Sequence, residues 1–192
     1  MLRVVVLLAV LAAGLLAYSY TRRAADVPSD VAVLSAYNSR DGANKLQRLL
    51  PHAGVDFGGP LGSPVIAAAD GVVTDLIDWP PGCGRGIILS HGEFKRYTAY
   101  CHLQDVLVRM GEEVARGRII GRMGMSGNAV GVSHVHFELC TSACRSHADG
   151  DLAGTADPLR VAAGCFDPQK AYPPGRLALT YPVPCGGVYR ER

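Results

Sequence analysis

Two short motifs of this chain contain side chains that could bind a metal ion. His52 and Asp56 stand four residues apart in HAGVD, and His134 and His136 alternate in GVSHVHFEL. Imidazole nitrogens and carboxylate oxygens are good zinc ligands, and a catalytic zinc keeps three of them when its fourth position holds water. His52, Asp56 and one residue of the later pair therefore form a candidate zinc site. The spacing alone does not choose between His134 and His136.

Extended segments must position these residues. Period-two alternation in GVSHVHFEL predicts a β-strand with His134 and His136 on one face. Proline and several glycines around HAGVD disfavour a helix there, so a bent extended segment carries His52 and Asp56. A further histidine, His102, ends the stretch YTAYCHL, and alternation directs it away from Cys101 and towards the site. A histidine that does not bind the metal could shuttle protons or stabilise an oxyanion.

Composition predicts one turn-rich, mostly β domain with appendages. The chain has 192 residues, of which 23 are glycine, and it is 48% hydrophobic with few aromatic residues. Apolar runs at 65–69 and 72–76, separated by Asp70 and Gly71, predict a hairpin. A net charge of +2 gives no reason to expect a nucleic-acid partner.

The N-terminus predicts export from the cytoplasm. Arg3 precedes a charge-free apolar run from Val4 to Tyr18, whose length lies between a secretory signal and a membrane span. We therefore expect a hydrophobic helix within residues 1–20 that acts as a signal peptide or an uncleaved signal anchor. Residues 21–46 are predicted to form a linker, with a possible short helix at 41–50.

Six cysteines fit this location, because an even number outside the cytoplasm usually forms disulfides. A hairpin that turns at residues 91–94 would set Cys83 opposite Cys101, and Cys140–Cys144 and Cys165–Cys185 are the remaining expected pairs. An alternative is a structural zinc ion held by Cys140, Cys144, His147 and Cys165. His91, at the turn, has no partner motif and is expected to be structural, while His147 is expected to be solvated.

Five motifs in this order resemble the lysostaphin/LytM-like zinc metallopeptidases, which cleave peptide cross-bridges of bacterial peptidoglycan. They are HAGVDF, GSPVIAAADGVV, YCHL, GxxVxxGxxIGxMGxSG and HVHFEL, and they cover about residues 51–139. The resemblance implies the duplicated hybrid motif fold, a mostly antiparallel β-sheet with an open groove. It also implies one zinc per chain on His52, Asp56 and His136, with His134 as general base and His102 as oxyanion stabiliser.

The resemblance predicts a LytM-like domain over residues 47–160 and a Pro- and Cys-containing extension over 161–192. The predicted function is a zinc endopeptidase that hydrolyses peptidoglycan cross-links or stem peptides with a zinc-activated water, facing the periplasm or cell wall. An N-terminal membrane anchor applies if the segment stays uncleaved, and a releasable anchor on a phage-type lytic enzyme is a variant of this prediction. The alternative is a non-catalytic LytM-like module that binds peptidoglycan or activates an amidase.

Three features depart from the family pattern. Ser133 occupies a position where the family usually has proline, Cys101 replaces the usual alanine of the YAHL motif, and the cysteine-containing segment after Leu139 lies outside the pattern. The groove loops are therefore not readable from the family, and the bond that is cleaved stays open.

Overall fold

The computed structural model describes residues 30–129, 131–144 and 152–186. The predicted N-terminal helix, with its signal or anchor function, lies in residues 1–20 and is outside the described residues. Within the described ranges, no helix is long and apolar enough to cross a membrane. The regular elements there are thirteen strands and two short 3-10 helices, so the prediction of a mostly β fold is confirmed.

The strands in chain order are β1 (Ala32–Ser35), β2 (Val55–Gly58), β3 (Pro64–Ile66), β4 (Gly71–Trp79), β5 (Gly84–Ser90), β6 (Tyr97–Leu103), β7 (Asp105–Val106), β8 (Glu113–Val114), β9 (Ile119–Arg122), β10 (His134–Cys140), β11 (Thr155–Ala156), β12 (Ala162–Gly164) and β13 (Leu179–Thr180). The 3-10 helices are Gly92–Phe94 and Pro158–Val161.

An eight-stranded antiparallel sheet forms the body of the protein. Its order is β1-β2-β10-β6-β5-β4-β8, and β11 pairs with the end of β10. Strand β10 lies between β2 and β6, so the histidine pair is next to the strand that carries Asp56 and the strand that carries His102. A three-stranded sheet, β3-β9-β7, and the parallel pair β12-β13 complete the structure.

The hairpin predicted around residues 91–94 forms between β5 and β6. As expected, Cys83 and Cys101 are joined by a disulfide, with their Cα atoms 4.9 Å apart. The hairpin predicted at Asp70 and Gly71 is wrong, because β3 pairs with β9 while β4 pairs with β5 and β8. Residues 67 and 68 hydrogen-bond to Arg118 and Tyr100, which separates the two strands into different sheets.

The core lies under the main sheet and includes the C-terminal segment. Phe137 on β10 packs against Phe57 and Tyr100 from the neighbouring strands, with ring centroids 6.3 and 5.1 Å away. Tyr181 packs on Phe57 at 5.7 Å and is buried, together with neighbouring apolar residues of the same segment. The Pro- and Cys-containing extension therefore supplies residues to the core.

The remaining cysteines form the expected pairs, Cys140–Cys144 and Cys165–Cys185. The alternative of a structural zinc on Cys140, Cys144, His147 and Cys165 is therefore wrong, because the three cysteines in it are oxidised. His147 itself lies outside the described residues.

The described part of the predicted linker packs on the sheet. Strand β1 pairs with β2, and the chain then turns back on itself, with Asp41 and Gln47 paired as an isolated bridge. The short helix expected at 41–50 does not form. Its place is taken by a turn, residues 36–50, that ends next to His52.

Candidate metal centre

Neighbouring strands bring together the three residues that the family resemblance assigns to zinc. Asp56 of β2 is the register partner of His136 of β10, and Asp56 Oδ1 lies 2.9 Å from His136 Nδ1. His52, just before β2, places its Nε2 atom 3.0 Å from Asp56 Oδ1 and 2.8 Å from His136 Nδ1. All three side chains are buried. Their donor atoms form a triangle with sides of 2.8 to 3.0 Å.

Contacts on the far side of each ring assign the imidazole protons. His52 Nδ1 lies 3.1 Å from both Ser35 Oγ and the Ala36 carbonyl oxygen, and His136 Nε2 lies 2.9 Å from Glu138 Oε1. An N–H on each of these outer nitrogens satisfies an acceptor. In that tautomer the inner nitrogens would present lone pairs to a cation bound beside Asp56, which is the arrangement that outer contacts produce in histidine metal sites.

The chemistry of this group fits a divalent cation. Two nitrogen lone pairs and a carboxylate oxygen within 3.0 Å of one another repel unless a positive charge lies among them. A proton can supply that charge too: although burial lowers the pKa of His136, hydrogen bonds to Asp56 and Glu138 raise it to about 10, so a cation that binds here must displace this proton. Burial raises the pKa of Asp56, but hydrogen bonds from His136 and His52 hold it well below its usual range, so the carboxylate is ionised.

His134 lies on the same face of β10 as His136, as the alternation predicted. Its Nδ1 donates to the carbonyl oxygen of Val132 at 2.8 Å, and its Nε2 is 3.7 Å from Asp56 Oδ1. Burial lowers the pKa of His134, so the ring is neutral near pH 7 and Nε2 carries a lone pair. This nitrogen can therefore accept a proton at the edge of the donor triangle.

His102 reaches the site through an irregularity in β6. Arg85 pairs with Leu103 and Ile87 with Tyr100, so Gly86 faces both Cys101 and His102 across a β-bulge. His102 has a left-handed backbone, with φ of 66°, and both Cys101 and His102 line the groove. Simple alternation, which placed these two side chains on opposite faces, therefore does not describe this strand end.

The His102 ring lies beside both histidines of β10. Its centroid is 4.7 Å from that of His134 and 5.9 Å from that of His136. Its Nδ1 donates to the Ser126 carbonyl oxygen at 2.9 Å, which leaves the lone pair on Nε2. Burial, together with repulsion from His136 and His134, lowers the pKa of His102 to about 3. The structure thus brings all five predicted residues into one cluster.

Two loops fix the position of His102. The backbone N–H of His102 donates to the Cys83 carbonyl oxygen, so the Cys83–Cys101 disulfide and this hydrogen bond join the same two segments. Gly127, with φ of 68°, packs so closely that a Cβ there would lie 2.1 Å from the Gly82 oxygen. Only glycine fits that contact, and it lets the Ser126 carbonyl reach the His102 ring.

Three histidines of the cluster, His102, His134 and His136, line the floor of a groove of about 400 Å³. Residues 42–50, the second part of the turn at 36–50, make one wall of the groove. Residues 82–83, 101 and 128–129 make the other. Leu46, Leu49 and Leu50 on the first wall are exposed. A peptide entering the groove would meet apolar side chains at the rim and ionisable ones at the floor.

Sequence reasoning missed three residues that contact the metal-binding group, Ser35, Arg48 and Glu138. The period-two pattern that placed both histidines on one face also placed Glu138 there, so that signal was available. Ser35 comes from the predicted linker and Arg48 from the stretch 41–50 that was predicted to be a short helix, and neither residue carries a local motif. His91, expected to be structural, is buried, with Nδ1 2.8 Å from the Asp70 oxygen and Nε2 2.9 Å from Thr98 Oγ1.

Comparisons with known proteins agree with this geometry. The catalytic domain of the antimicrobial peptidase lysostaphin from Staphylococcus simulans superposes with a TM-score of 0.55 at 26% identity, covering 66% of this chain and 87% of that domain. The catalytic domain of EnpA, a prophage-encoded M23 protein from Enterococcus faecalis, gives a TM-score of 0.54 at 26% identity, covering 70% and 95%. The fold is that of a lysostaphin-type peptidase domain.

Residues 50–148 match the model of peptidase family M23, and the chain belongs to that family. The peptidoglycan DD-endopeptidase ShyA of Vibrio cholerae is 40% identical over 93 residues, which are 48% of this chain and 21% of ShyA. The murein hydrolase activator NlpD of Escherichia coli is 32% identical over 112 residues, which are 58% of this chain and 27% of NlpD. The chain thus spans about a quarter or less of the length of these relatives.

Proposed function

We propose that this protein is a zinc metalloendopeptidase that hydrolyses peptide bonds in bacterial peptidoglycan. The observation that carries the proposal is the buried triangle of His52 Nε2, Asp56 Oδ1 and His136 Nδ1, in which each outer atom has its own partner. These three residues would hold the ion. When bound, zinc supplies Lewis-acid polarisation of a carbonyl and a lowered pKa for water.

The two other histidines, His134 and His102, have different roles in proton transfer. His134 Nε2 has a lone pair at the edge of the donor triangle, so it is the atom that removes a proton from the attacking water. His102 Nε2 also starts without a proton, because Nδ1 donates to Ser126. Stabilisation of an oxyanion by His102 therefore requires its Nε2 to take up a proton during the reaction.

The substrate class follows from the relatives and from the groove. ShyA is named a peptidoglycan DD-endopeptidase and lysostaphin an antimicrobial peptidase. The family match over residues 50–148 includes the five-residue cluster. We place the reaction outside the cytoplasm, because three disulfides form stably only in an oxidising compartment. An N-terminal signal or anchor stays a prediction of the sequence.

The similarity to NlpD supports a second candidate, a module that activates another hydrolase without catalysis of its own. The complete donor triangle weighs against it, since an activator that only binds has no need of three converging metal donors.

Metal content and cleavage, measured together on the full chain, separate the two functions. We expect one zinc per chain and new amine ends released from purified peptidoglycan. Asp56→Ala should lose both, and Asp78→Ala, a change at an exposed position on β4, should keep both. Bound zinc without cleavage of any wall type would favour the activator, and a folded, oxidised protein that binds no zinc would refute the peptidase.

A further inference from the structure

The two carboxylate oxygens of Asp56 face different partners. Oδ1 belongs to the donor triangle, whereas Oδ2 lies 2.9 Å from Arg48 Nη2. Arg48 lines the groove and its side chain is 23% exposed, whereas the Asp56 side chain is fully buried behind the groove lining. The guanidinium therefore contacts a residue proposed to bind zinc, through the oxygen that does not belong to the donor triangle.

We propose that Arg48 is a positioning residue of the metal centre, which holds Oδ2 of Asp56 so that Oδ1 alone faces the ion. This inference rests on the proposed zinc function. A carboxylate turns easily about its terminal torsion, so an unrestrained Asp56 could present either oxygen or both. A charge-assisted hydrogen bond from a planar guanidinium to one oxygen selects a single orientation.

Hydrogen bonds within the turn at residues 36–50 hold Arg48 beside Asp56. The Arg48 backbone N–H donates to the Arg40 oxygen at 2.6 Å, and Arg40 Nη1 donates to the Leu49 oxygen at 2.7 Å. Asn38 N–H donates to the His52 oxygen, and His52 N–H donates to the Ser39 oxygen. The turn is thus stabilised internally by Arg40 and is hydrogen-bonded to the backbone of His52. Its contact with Asp56 is made by Arg48.

Electrostatic repulsion and ligand orientation predict opposite effects of removing Arg48 on zinc affinity. A guanidinium near a divalent cation repels it, so removal of Arg48 would tighten zinc binding if repulsion dominated. Removal also leaves the buried Oδ2 atom of Asp56 without this donor, and a buried anionic oxygen that loses its partner is strongly unfavourable. We expect geometry to dominate, so the sign of the change in affinity tests the proposal.

The experiment compares zinc affinity in the full chain, measured by competition with a chromogenic chelator, for the parent, Arg48→Met, Arg48→Lys and Arg40→Met. Both Arg48 variants should bind zinc about 10- to 100-fold more weakly, the usual effect of losing a residue that orients a metal ligand. Arg48→Lys keeps the charge and loses the planar fork, so it isolates geometry. Arg40→Met loosens the turn without touching Asp56 and should stay within about two-fold of the parent.

Replacement of zinc by cobalt adds a spectroscopic measurement that does not depend on the stability of the turn. The visible absorption of bound Co²⁺ reports coordination number, so it should change in both Arg48 variants and keep the parent's shape in Arg40→Met. Unchanged or tighter zinc binding in the Arg48 variants would overturn the positioning role. Equal weakening in Arg40→Met would overturn it too, by assigning the effect to the turn. A parent that binds no zinc would instead refute the proposed function itself.

Discussion

Gly54 offers the sharpest test of how closely β2 and β10 must approach to build the donor triangle. It lies between His52 and Asp56, and its backbone φ is not in the left-handed region, so any effect of alanine arises from contact alone. An added Cβ would lie 2.5 Å from the Phe137 oxygen and 2.9 Å from His136 Cε1. The first of these atoms belongs to the backbone of β10 and cannot rotate away.

The size of the effect follows from these distances. Ordinary van der Waals contact begins at 3.4 Å, so Gly54→Ala must part the segments by about 0.9 Å or tilt β10. Overpacking of this kind costs about 1–3 kcal/mol of unfolding free energy. For a chain of this length each kcal/mol lowers Tm by about 2–4 °C, which gives a decrease of about 2–12 °C. Because His136 must also shift, zinc affinity should fall with it.

Calorimetry of Gly54→Ala beside Gly92→Ala provides the measurement. Gly92 begins a 3-10 helix, and a Cβ there would meet nothing within 4 Å, so this variant controls for the added methyl group. We expect the Gly92 variant to match the parent in Tm and in zinc affinity. If Gly54→Ala also stayed within about 1 °C of the parent and bound zinc equally well, the close approach would not be a requirement of the site.

Three other results are expected. Chelation of zinc should lower Tm in the parent and leave Tm unchanged in His136→Ala, because an ion at 100 times its Kd stabilises the folded state by about 2.7 kcal/mol. Tyr100→Phe should lower the free energy of unfolding in urea by about 1–3 kcal/mol, since the buried Ala68 N–H loses its acceptor, and a loss under about 0.5 kcal/mol would contradict this. Burial lowers the pKa of His91, so its contribution to stability is complete above pH 6.5 and declines as the pH falls towards the lowered value. With zinc bound to both proteins, the decline should be shallower in His91→Gln than in the parent. Identical pH profiles of the two proteins would exclude His91 as the source of the decline.

Local sequence patterns predicted the structure correctly where it depends on a single strand or on one short turn. Alternation in β10 correctly placed His134 and His136 on one face, because the side chains of a strand without a bulge alternate and β10 pairs in regular register around both histidines. The β5–β6 hairpin likewise set Cys83 opposite Cys101, since a short turn fixes the register of the strands it joins.

Prediction failed where the outcome depends on a partner strand that is distant in sequence. The bulge that aims His102 exists because Gly86 faces two residues of β6, and the sequence of β6 does not reveal that pairing. The signal at Asp70 and Gly71 was a genuine local turn signal, yet β3 found its partner in β9, more than fifty residues away. Arg48 was missed because its role depends on the path of the turn and not on a motif.

The buried C-terminal segment limits how this M23 domain can be moved between proteins. The match to the family ends at residue 148, yet Thr180 N–H donates to the Ala68 oxygen and Pro182 accepts from Ile66 N–H. Leu179, on the same segment, is 1% exposed. A fragment that ends at the family boundary, or at residue 160, would expose the core beneath the strands that carry the donor triangle. A portable version for fusion to another targeting domain should therefore extend to residue 186.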